Sequence, residues 1–155
     1  FGIGLGMQCA VIEFARNVVA LKNADSSEID TKVECRLCDL MQEQKSSLKT
    51  DGTMRLGAYN CALKKDSFVR SIYGKEMVSE RHRHRFELNN KYKEDLEKAG
   101  MVCSGVNPES GLVEIVEIPS LKWFVGVQFH PEYNSTVLNP HPLFLDFVRA
   151  SIDKK

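Results

Sequence analysis

The sequence lacks an excess of charge of either sign, a long apolar run and a regular cysteine pattern. It carries 21 basic and 21 acidic side chains, so no overall field draws it to nucleic acid or to an anionic membrane. No apolar segment approaches the length that crosses a bilayer, and the first residues lack the basic start and cleavage site of a secretory signal. We therefore expect a cytoplasmic protein whose partners are small molecules or other proteins, with no nucleic-acid and no membrane partner.

The five cysteines argue against disulfides and against a metal centre. Their number is odd and their spacing irregular, which suits a reducing compartment. Cys35 and Cys38 have the spacing of a zinc knuckle, but no second Cys-x-x-Cys and no spaced histidine pair could supply the remaining ligands. We therefore predict no metal site and interpret the pair as ordinary thiols.

The length and the hydrophobic periodicity indicate one α/β domain. The 155 residues can bury a single core, and apolar positions three and four residues apart predict a first helix from about Leu5 to about Leu21. Polar residues predict surface loops over 22–31 and 45–53, the second with an Asp51-Gly52 turn. The remaining pattern predicts a helix over 67–74, a strand over 77–88, a helix over 90–99, a hairpin of 101–106 with 112–118, a buried strand over 123–129 and a last helix over 143–152.

Three glycines in the first six residues give a distinctive local signal. Gly2, Gly4 and Gly6 lead directly into the first predicted helix, as small residues do around a nucleophile held in a strained strand-to-helix elbow. A glycine-rich turn or a phosphate-binding loop explains these residues equally well. The strand that precedes such an elbow needs neighbours on both sides, so we expect the domain to begin upstream of residue 1.

His130 and Glu132 form the second candidate element of a catalytic site. On an extended segment, residues two apart point the same way, and a carboxylate beside an imidazole fixes its tautomer. Alone, the tripeptide is explained more simply by a turn with a surface histidine. Together with an elbow more than a hundred residues upstream, it favours a base that activates a nucleophile.

Arginine and histidine alternate over residues 81–85. Arg81, Arg83 and Arg85 would lie on one face of an extended strand. Solvated charge that protects an edge strand is one explanation. The other is a guanidinium that pairs with a substrate carboxylate, in a geometry that lysine cannot supply.

Four segments, residues 2–8, 52–57, 80–87 and 128–132, closely resemble the glutaminase domain of the cytidine triphosphate synthases. The first and last are shared by triad-type glutamine amidotransferases, whereas the middle two are particular to the synthases. The resemblance covers nearly the whole chain and implies an α/β, flavodoxin-like three-layer amidotransferase fold. Residues 1–155 would be its C-terminal portion, without the N-terminal part of the glutaminase domain and without the synthetase domain.

The resemblance also implies an activity. A cysteine would attack the side-chain amide of L-glutamine, release ammonia and leave a glutamyl thioester that water hydrolyses to glutamate. The ammonia would aminate UTP to CTP in the synthetase domain, which uses ATP and Mg²⁺; no cofactor is expected in this chain. GTP is implied as an allosteric activator, and the parent enzyme is expected to be a homo-oligomer.

The resemblance assigns roles residue by residue. His130 resembles the general base and Glu132 its orienting carboxylate, while Gly4 stands where the family has its cysteine nucleophile. Arg55, within 52–57, corresponds to an effector lid through which GTP acts. The residues implied to bind glutamine are Leu5, Gly6, Met7, Gln8, Glu28, which would meet the ammonium group, and Arg85, which would bind the α-carboxylate.

Gly4 is the main departure from the family pattern. Without a thiolate no covalent intermediate forms, and loss of the nucleophile costs on the order of a million-fold in turnover in another triad hydrolase. Cys9 cannot replace it, because five residues along a helix correspond to about 7.5 Å. An engineered substitution, a natural non-catalytic relative and a modified cysteine recorded as glycine all explain this position. A non-catalytic glutamine-binding or assembly module is therefore the alternative function.

Overall fold

The structure is a computed structural model that describes residues 1–40 and 54–152. The predicted loop over 45–53, with its Asp51-Gly52 turn, lies outside the described residues. The strands are β1 (Gly2–Ile3), β2 (Ala24–Ser26), β3 (Cys35–Leu40), β4 (Arg55–Leu63), β5 (Met77–His84), β6 (Phe86–Leu88), β7 (Val102–Val106), β8 (Val113–Glu117) and β9 (Val125–Val127). The α-helices are α1 (Leu5–Asn17), α2 (Phe68–Tyr73), α3 (Lys93–Lys98) and α4 (Pro142–Ile152), with 3-10 turns at Asn90–Tyr92 and Pro131–Asn134.

The strands form two sheets. The larger has the order β1-β9-β8-β7-β4-β5, in which β1 pairs in parallel with β9 and the other neighbours are antiparallel. The smaller has the order β2-β3-β6. In the parallel pair Ile3 lies beside Val127, so the residues that follow β1 and β9 emerge at the same edge of the sheet. This edge therefore receives both Gly4 and His130.

Two apolar cores cover the two faces of the larger sheet. Side chains alternate along β8, so Val116 packs in the core beneath α1 while Ile115 packs in the core beneath α2 and α4. All three residues of β9 are buried, which confirms the predicted buried strand. The first core contains Met7, Val11, Leu88 and Leu96, and the second contains Val69, Val125, Val127 and Leu143.

Local signals predict the ends of α2 and the β7–β8 hairpin correctly, but not the start of α3. The Ser67 side chain accepts a hydrogen bond from the Arg70 amide at the start of α2, and Gly74 closes that helix with a left-handed φ of 64°. The predicted hairpin is confirmed as the antiparallel pair β7–β8. The predicted helix over 90–99 begins as a 3-10 turn, and only Lys93–Lys98 is α-helical.

Two predicted boundaries are wrong, and the surface loop predicted over 22–31 contains the largely buried strand β2. The first helix ends at Asn17 rather than near Leu21, because the Leu21 amide bonds back to the Ala15 carbonyl at 2.9 Å and Ala20 takes a φ of 67°. The single strand predicted over 77–88 is two strands in different sheets, since β5 pairs with β4 and β6 pairs with β3. Arg85 lies at the break between them. No helix in the described ranges is long and apolar enough to cross a membrane.

Candidate active site

The glycine-rich segment forms a sharp strand-to-helix turn. Gly4 has φ 55° and ψ −114°, a conformation that side chains rarely adopt, and its amide donates to the Val127 carbonyl at 2.8 Å. Its own carbonyl accepts the Met7 amide of α1 at 3.0 Å. A β-carbon at Gly2 would lie 2.7 Å from the Gly6 carbonyl oxygen, so only glycine fits there. These contacts produce the geometry of a nucleophile elbow.

The imidazole of His130 faces the apex of this turn. A β-carbon added at Gly4 would lie 3.3 Å from Nε2 of His130. The ring is fixed from behind, because Nδ1 lies 2.7 Å from Oε1 of Glu132. A carboxylate there keeps the proton on Nδ1, so Nε2 of the neutral ring accepts a proton on the elbow side. The predicted convergence of His130 with Gly4 is therefore confirmed.

Glu132 reaches the ring by a different backbone path from the one expected. The expectation of an extended His130–Glu132 segment is wrong, because a 3-10 turn begins at Pro131 directly after His130. The His130 amide donates to the Arg81 carbonyl at 2.9 Å, which holds the segment against β5. The turn, rather than strand alternation, brings the carboxylate to Nδ1.

A cavity of about 410 Å³ lies in front of His130. This volume is within the range of small-molecule sites. It is lined by seven of the predicted site residues, namely Gly4, Leu5, Gln8, Glu28, Arg85, His130 and Glu132. The structure therefore gathers into one cavity residues that are widely separated in the sequence.

Three predicted site residues do not line the cavity. Met7 is 1% exposed and packs in the core beneath α1, and Gly6 lies outside the lining. Arg55 does not line the cavity either, and its part in an effector lid remains a prediction. It begins β4, it is 6% exposed, and its guanidinium pairs with the carboxylates of Glu87, at 3.2 Å, and Glu114. Gly52 and Thr53 of the same motif lie outside the described residues.

Behind the cavity, Arg55 belongs to a buried charged cluster. His82 Nδ1 lies 2.8 Å from His84 Nε2, and His84 Nδ1 lies 3.5 Å from Glu87 Oε1. Burial, with the Arg55 charge, lowers the pKa of His84 to about 4 and that of His82 to about 2. Burial also raises the pKa of Glu87 to about 7, although Arg55 opposes this shift. Both histidines are therefore uncharged at neutral pH.

The cavity also contains residues to which the sequence assigned no specific role. Arg83 donates to the Tyr133 hydroxyl at 3.0 Å, and the Tyr133 ring lies 5.5 Å from that of His130. Gln128 is 1% exposed, and neither atom of its side-chain amide has a hydrogen-bond partner among the described residues. Gln128 begins the 128–132 segment that resembles the family. Its position two residues before His130 could have indicated that it lies near the site. The remaining lining residues are Met54, His84 and Phe86.

Within the described ranges, no group of three or more His, Cys, Asp or Glu side chains could hold a metal ion. Cys38 is a free, buried thiol and Cys35 is a free, partly buried one. Burial raises the pKa of the Cys38 thiol, and nearby carboxylates raise it further.

Comparison with known proteins identifies the family to which this chain belongs. The family described as glutamine amidotransferase class-I matches residues 1–150. The chain belongs to the class-I glutamine amidotransferase family. As an amidotransferase of this class, it has the α/β fold that the sequence predicted.

Relatives of this amidotransferase include two bacterial enzymes described as CTP synthase. The chain is 61% identical to that of Bacteroides fragilis over 154 residues and 62% identical to that of Porphyromonas gingivalis over 151 residues. These matches cover 99% and 97% of the chain but only 29% and 28% of the relatives. The glutaminase domain of Trypanosoma brucei CTPS, solved with bound acivicin, matches with a TM-score of 0.92 and 42% identity, over 100% of this chain and 60% of that one.

Proposed function

We propose that this amidotransferase chain is the glutamine-hydrolysing part of a CTP synthase, producing glutamate and ammonia. The observation that carries the proposal is the position of His130 Nε2, 3.3 Å from a β-carbon at Gly4, with Glu132 behind the ring. A side-chain nucleophile at position 4 would meet its base there. The similarity to CTP synthases over nearly the whole chain supports the choice of substrate.

The geometry supports a two-step reaction in a chain that has cysteine at position 4. His130 Nε2 takes the thiol proton, and the thiolate adds to the side-chain carbonyl carbon of glutamine. The oxyanion forms beside the Leu5 amide, at the first turn of α1, where backbone N–H groups lack intrahelical partners. The imidazolium gives its proton to the amino group of the tetrahedral intermediate, which leaves as ammonia as the C–N bond breaks. Water then cleaves the thioester, with His130 again acting as base, and glutamate leaves.

The charges around the cavity suit a free amino acid. Arg85 can pair with the α-carboxylate, and Glu28 can accept hydrogen bonds from the α-ammonium group. Gln8 lies between the elbow and Glu28, with Nε2 at 3.3 Å from Glu28 Oε2. A zwitterion bound in this way would direct its side-chain amide towards Gly4 and His130.

The use of the ammonia is the wider part of the proposal. In a CTP synthase it would aminate UTP in a synthetase domain, the partner that would bind ATP and Mg²⁺. GTP as an activator and a homo-oligomeric parent enzyme belong to the same proposal. Arg55 is paired with buried carboxylates of β6 and β8. It would therefore affect stimulation by GTP by holding β4, β6 and β8 together rather than by contact with the effector.

Gly4 favours one alternative, a glutamine-binding or assembly module without catalysis. Glycine leaves the lining of the cavity in place but provides no nucleophile. This module would bind glutamine and would release no ammonia even with cysteine at position 4. Catalysis and binding can therefore be separated by one substitution.

The test is Gly4→Cys, assayed for glutamine-dependent release of ammonia together with glutamate. We expect measurable turnover in this variant and none in the parent chain. Gly4→Cys combined with His130→Ala is the matched control and should remain inactive, because the new thiol then has no base. If Gly4→Cys folds, binds glutamine and still releases no ammonia, the proposed hydrolysis is refuted and the binding module is favoured.

A further inference from the structure

Ser26 connects two residues of the cavity without lining it. It is the last residue of β2 and is 0% exposed. Its hydroxyl donates to Gln8 Oε1 at 2.9 Å and accepts the backbone N–H of Glu28 at 3.2 Å. One buried hydroxyl therefore joins α1 to the turn that carries Glu28.

The two neighbours of Gln8 select the same orientation of its amide. A carboxylate can only accept hydrogen bonds, so the Gln8 atom that faces Glu28 Oε2 at 3.3 Å is the amide nitrogen. The Ser26 oxygen already accepts from the Glu28 backbone, and its single hydrogen needs an acceptor, which Oε1 of Gln8 provides. Reversing the amide would bring Oε1 against the carboxylate and leave the hydroxyl hydrogen without its acceptor.

This orientation decides what Gln8 offers to a ligand. Oε1 is engaged by Ser26, while Nε2 carries two hydrogens, of which Glu28 accepts one. The other hydrogen is available to a ligand in the cavity that Gln8 lines. Gln8 can therefore donate to an acceptor oxygen of a ligand, such as a carbonyl or a carboxylate.

We propose that Ser26 is a positioning residue for substrate recognition, which acts through Gln8 and Glu28 and does not touch the ligand. The inference rests on the proposed binding of glutamine in this cavity. Without the hydroxyl, only the contact with Glu28 orients the Gln8 amide, which is then held less firmly with Nε2 towards the ligand. The Glu28 backbone also loses its bond to β2, so both ends of the recognition surface become less ordered.

Calorimetric titration of the 155-residue chain with L-glutamine measures this role, because Gly4 prevents turnover during the experiment. Ser26→Ala should weaken binding about fivefold, the effect of one lost hydrogen bond. Ser27→Ala is the matched control. Ser27 is the adjacent buried serine, and its hydroxyl contacts Asp39 Oδ1 at 2.8 Å and the Cys38 carbonyl at 3.3 Å, away from Gln8. It should leave the affinity unchanged.

A double-mutant cycle shows whether Ser26 acts through Gln8. Once Gln8→Ala has removed the amide, Ser26→Ala should produce a smaller further loss of affinity, because only its bond to the Glu28 backbone then remains to be lost. An equal loss from Ser26→Ala and Ser27→Ala would overturn the proposal. So would a Ser26→Ala effect that is undiminished in the Gln8→Ala background.

A second readout needs no ligand. The side-chain amide signal of Gln8 in a nitrogen–proton correlation spectrum should shift or broaden in Ser26→Ala and stay in place in Ser27→Ala. An unchanged Gln8 signal in Ser26→Ala overturns the positioning role. A parent chain that binds no glutamine instead refutes the proposed function, and the Gln8 signal then still decides whether Ser26 orients the amide.

Discussion

His130 Nε2 lies 3.3 Å from the position that a β-carbon would occupy at Gly4. The contact depends on the parallel pairing of β1 with β9, which places the ends of two sequence-distant strands side by side. A cysteine side chain at position 4 would direct its sulfur towards the imidazole. The relationship therefore makes the reactivity of a thiol at this position a direct probe of the site.

The thiol introduced by Gly4→Cys should react quickly with iodoacetamide near neutral pH. His130 can accept the thiol proton, and the thiolate is the reactive form. Cys9 is an exposed thiol of α1, the helix that follows position 4, and serves as an internal reference. Peptide mass spectrometry over time should show position 4 alkylated first, with this advantage lost in the His130→Ala background. Equal rates at the two thiols in an otherwise intact site would contradict the assigned base.

Alanine at Gly4 and at Gly6 should change stability in opposite directions. Gly4→Ala places a side chain at φ 55°, which should lower the free energy of unfolding by about 1 to 3 kcal/mol. Gly6 lies in α1 and a β-carbon there meets nothing within 4 Å, so Gly6→Ala should raise it by roughly 0.5 kcal/mol. Urea unfolding measures both. Two variants of equal stability would show that the elbow is unstrained.

Arg85→Ala should weaken glutamine binding by roughly 2 kcal/mol or more, because a carboxylate in the cavity would lose its charged partner. Arg81→Ala is the matched control, since Arg81 is exposed on the same segment and does not line the cavity. Calorimetric titration should show a loss only for Arg85. An affinity that Arg85→Ala leaves unchanged would remove this residue from the substrate site.

Acid should destabilise the fold through the buried histidines. The pKa of His84 is about 4 in the folded chain and about 6.5 in the unfolded chain. The stability that neutral His84 contributes is therefore present above pH 6.5 and is lost as the pH falls towards 4. His84→Gln should therefore reduce the acid-induced loss in unfolding free energy between pH 7 and pH 5 by roughly 1 to 2 kcal/mol. Denaturant titrations at the two pH values measure the difference, and an unchanged loss would contradict a buried, neutral His84.

Glu87 provides a test of opposite sign. Its folded pKa of about 7 lies above the ordinary value of 4.5. The stability that protonated Glu87 contributes is therefore fully present below pH 4.5 and is lost as the pH rises through 7. Protonation of Glu87 thus partly offsets the histidine effect in the parent chain. Glu87→Gln removes this offset and should make the acid-induced loss larger. A smaller loss in Glu87→Gln would show that the carboxyl is ionised throughout this pH range.

Elements whose signals lie within a few adjacent residues could be predicted accurately. Ser67 and Gly74 define both ends of α2, and each acts on backbone groups within one turn. The break at Arg85 could not be predicted, since residues 77–88 keep the alternating pattern of one strand. The break arises because β4 and β3, which come from distant segments, bind successive parts of this stretch.

The order of side chains along the chain was enough to indicate an elbow and a histidine with its carboxylate, because each depends on residue type and close spacing. The amidotransferase family was indicated by the resemblance of four segments to known proteins. Only the tertiary structure decided that Arg55 is buried against Glu87 and Glu114, and that Ser26 holds Gln8 in one orientation. These contacts join residues 18 to 59 positions apart. Such pairings are set by the packing of sheets and helices, which no local pattern in the sequence contains.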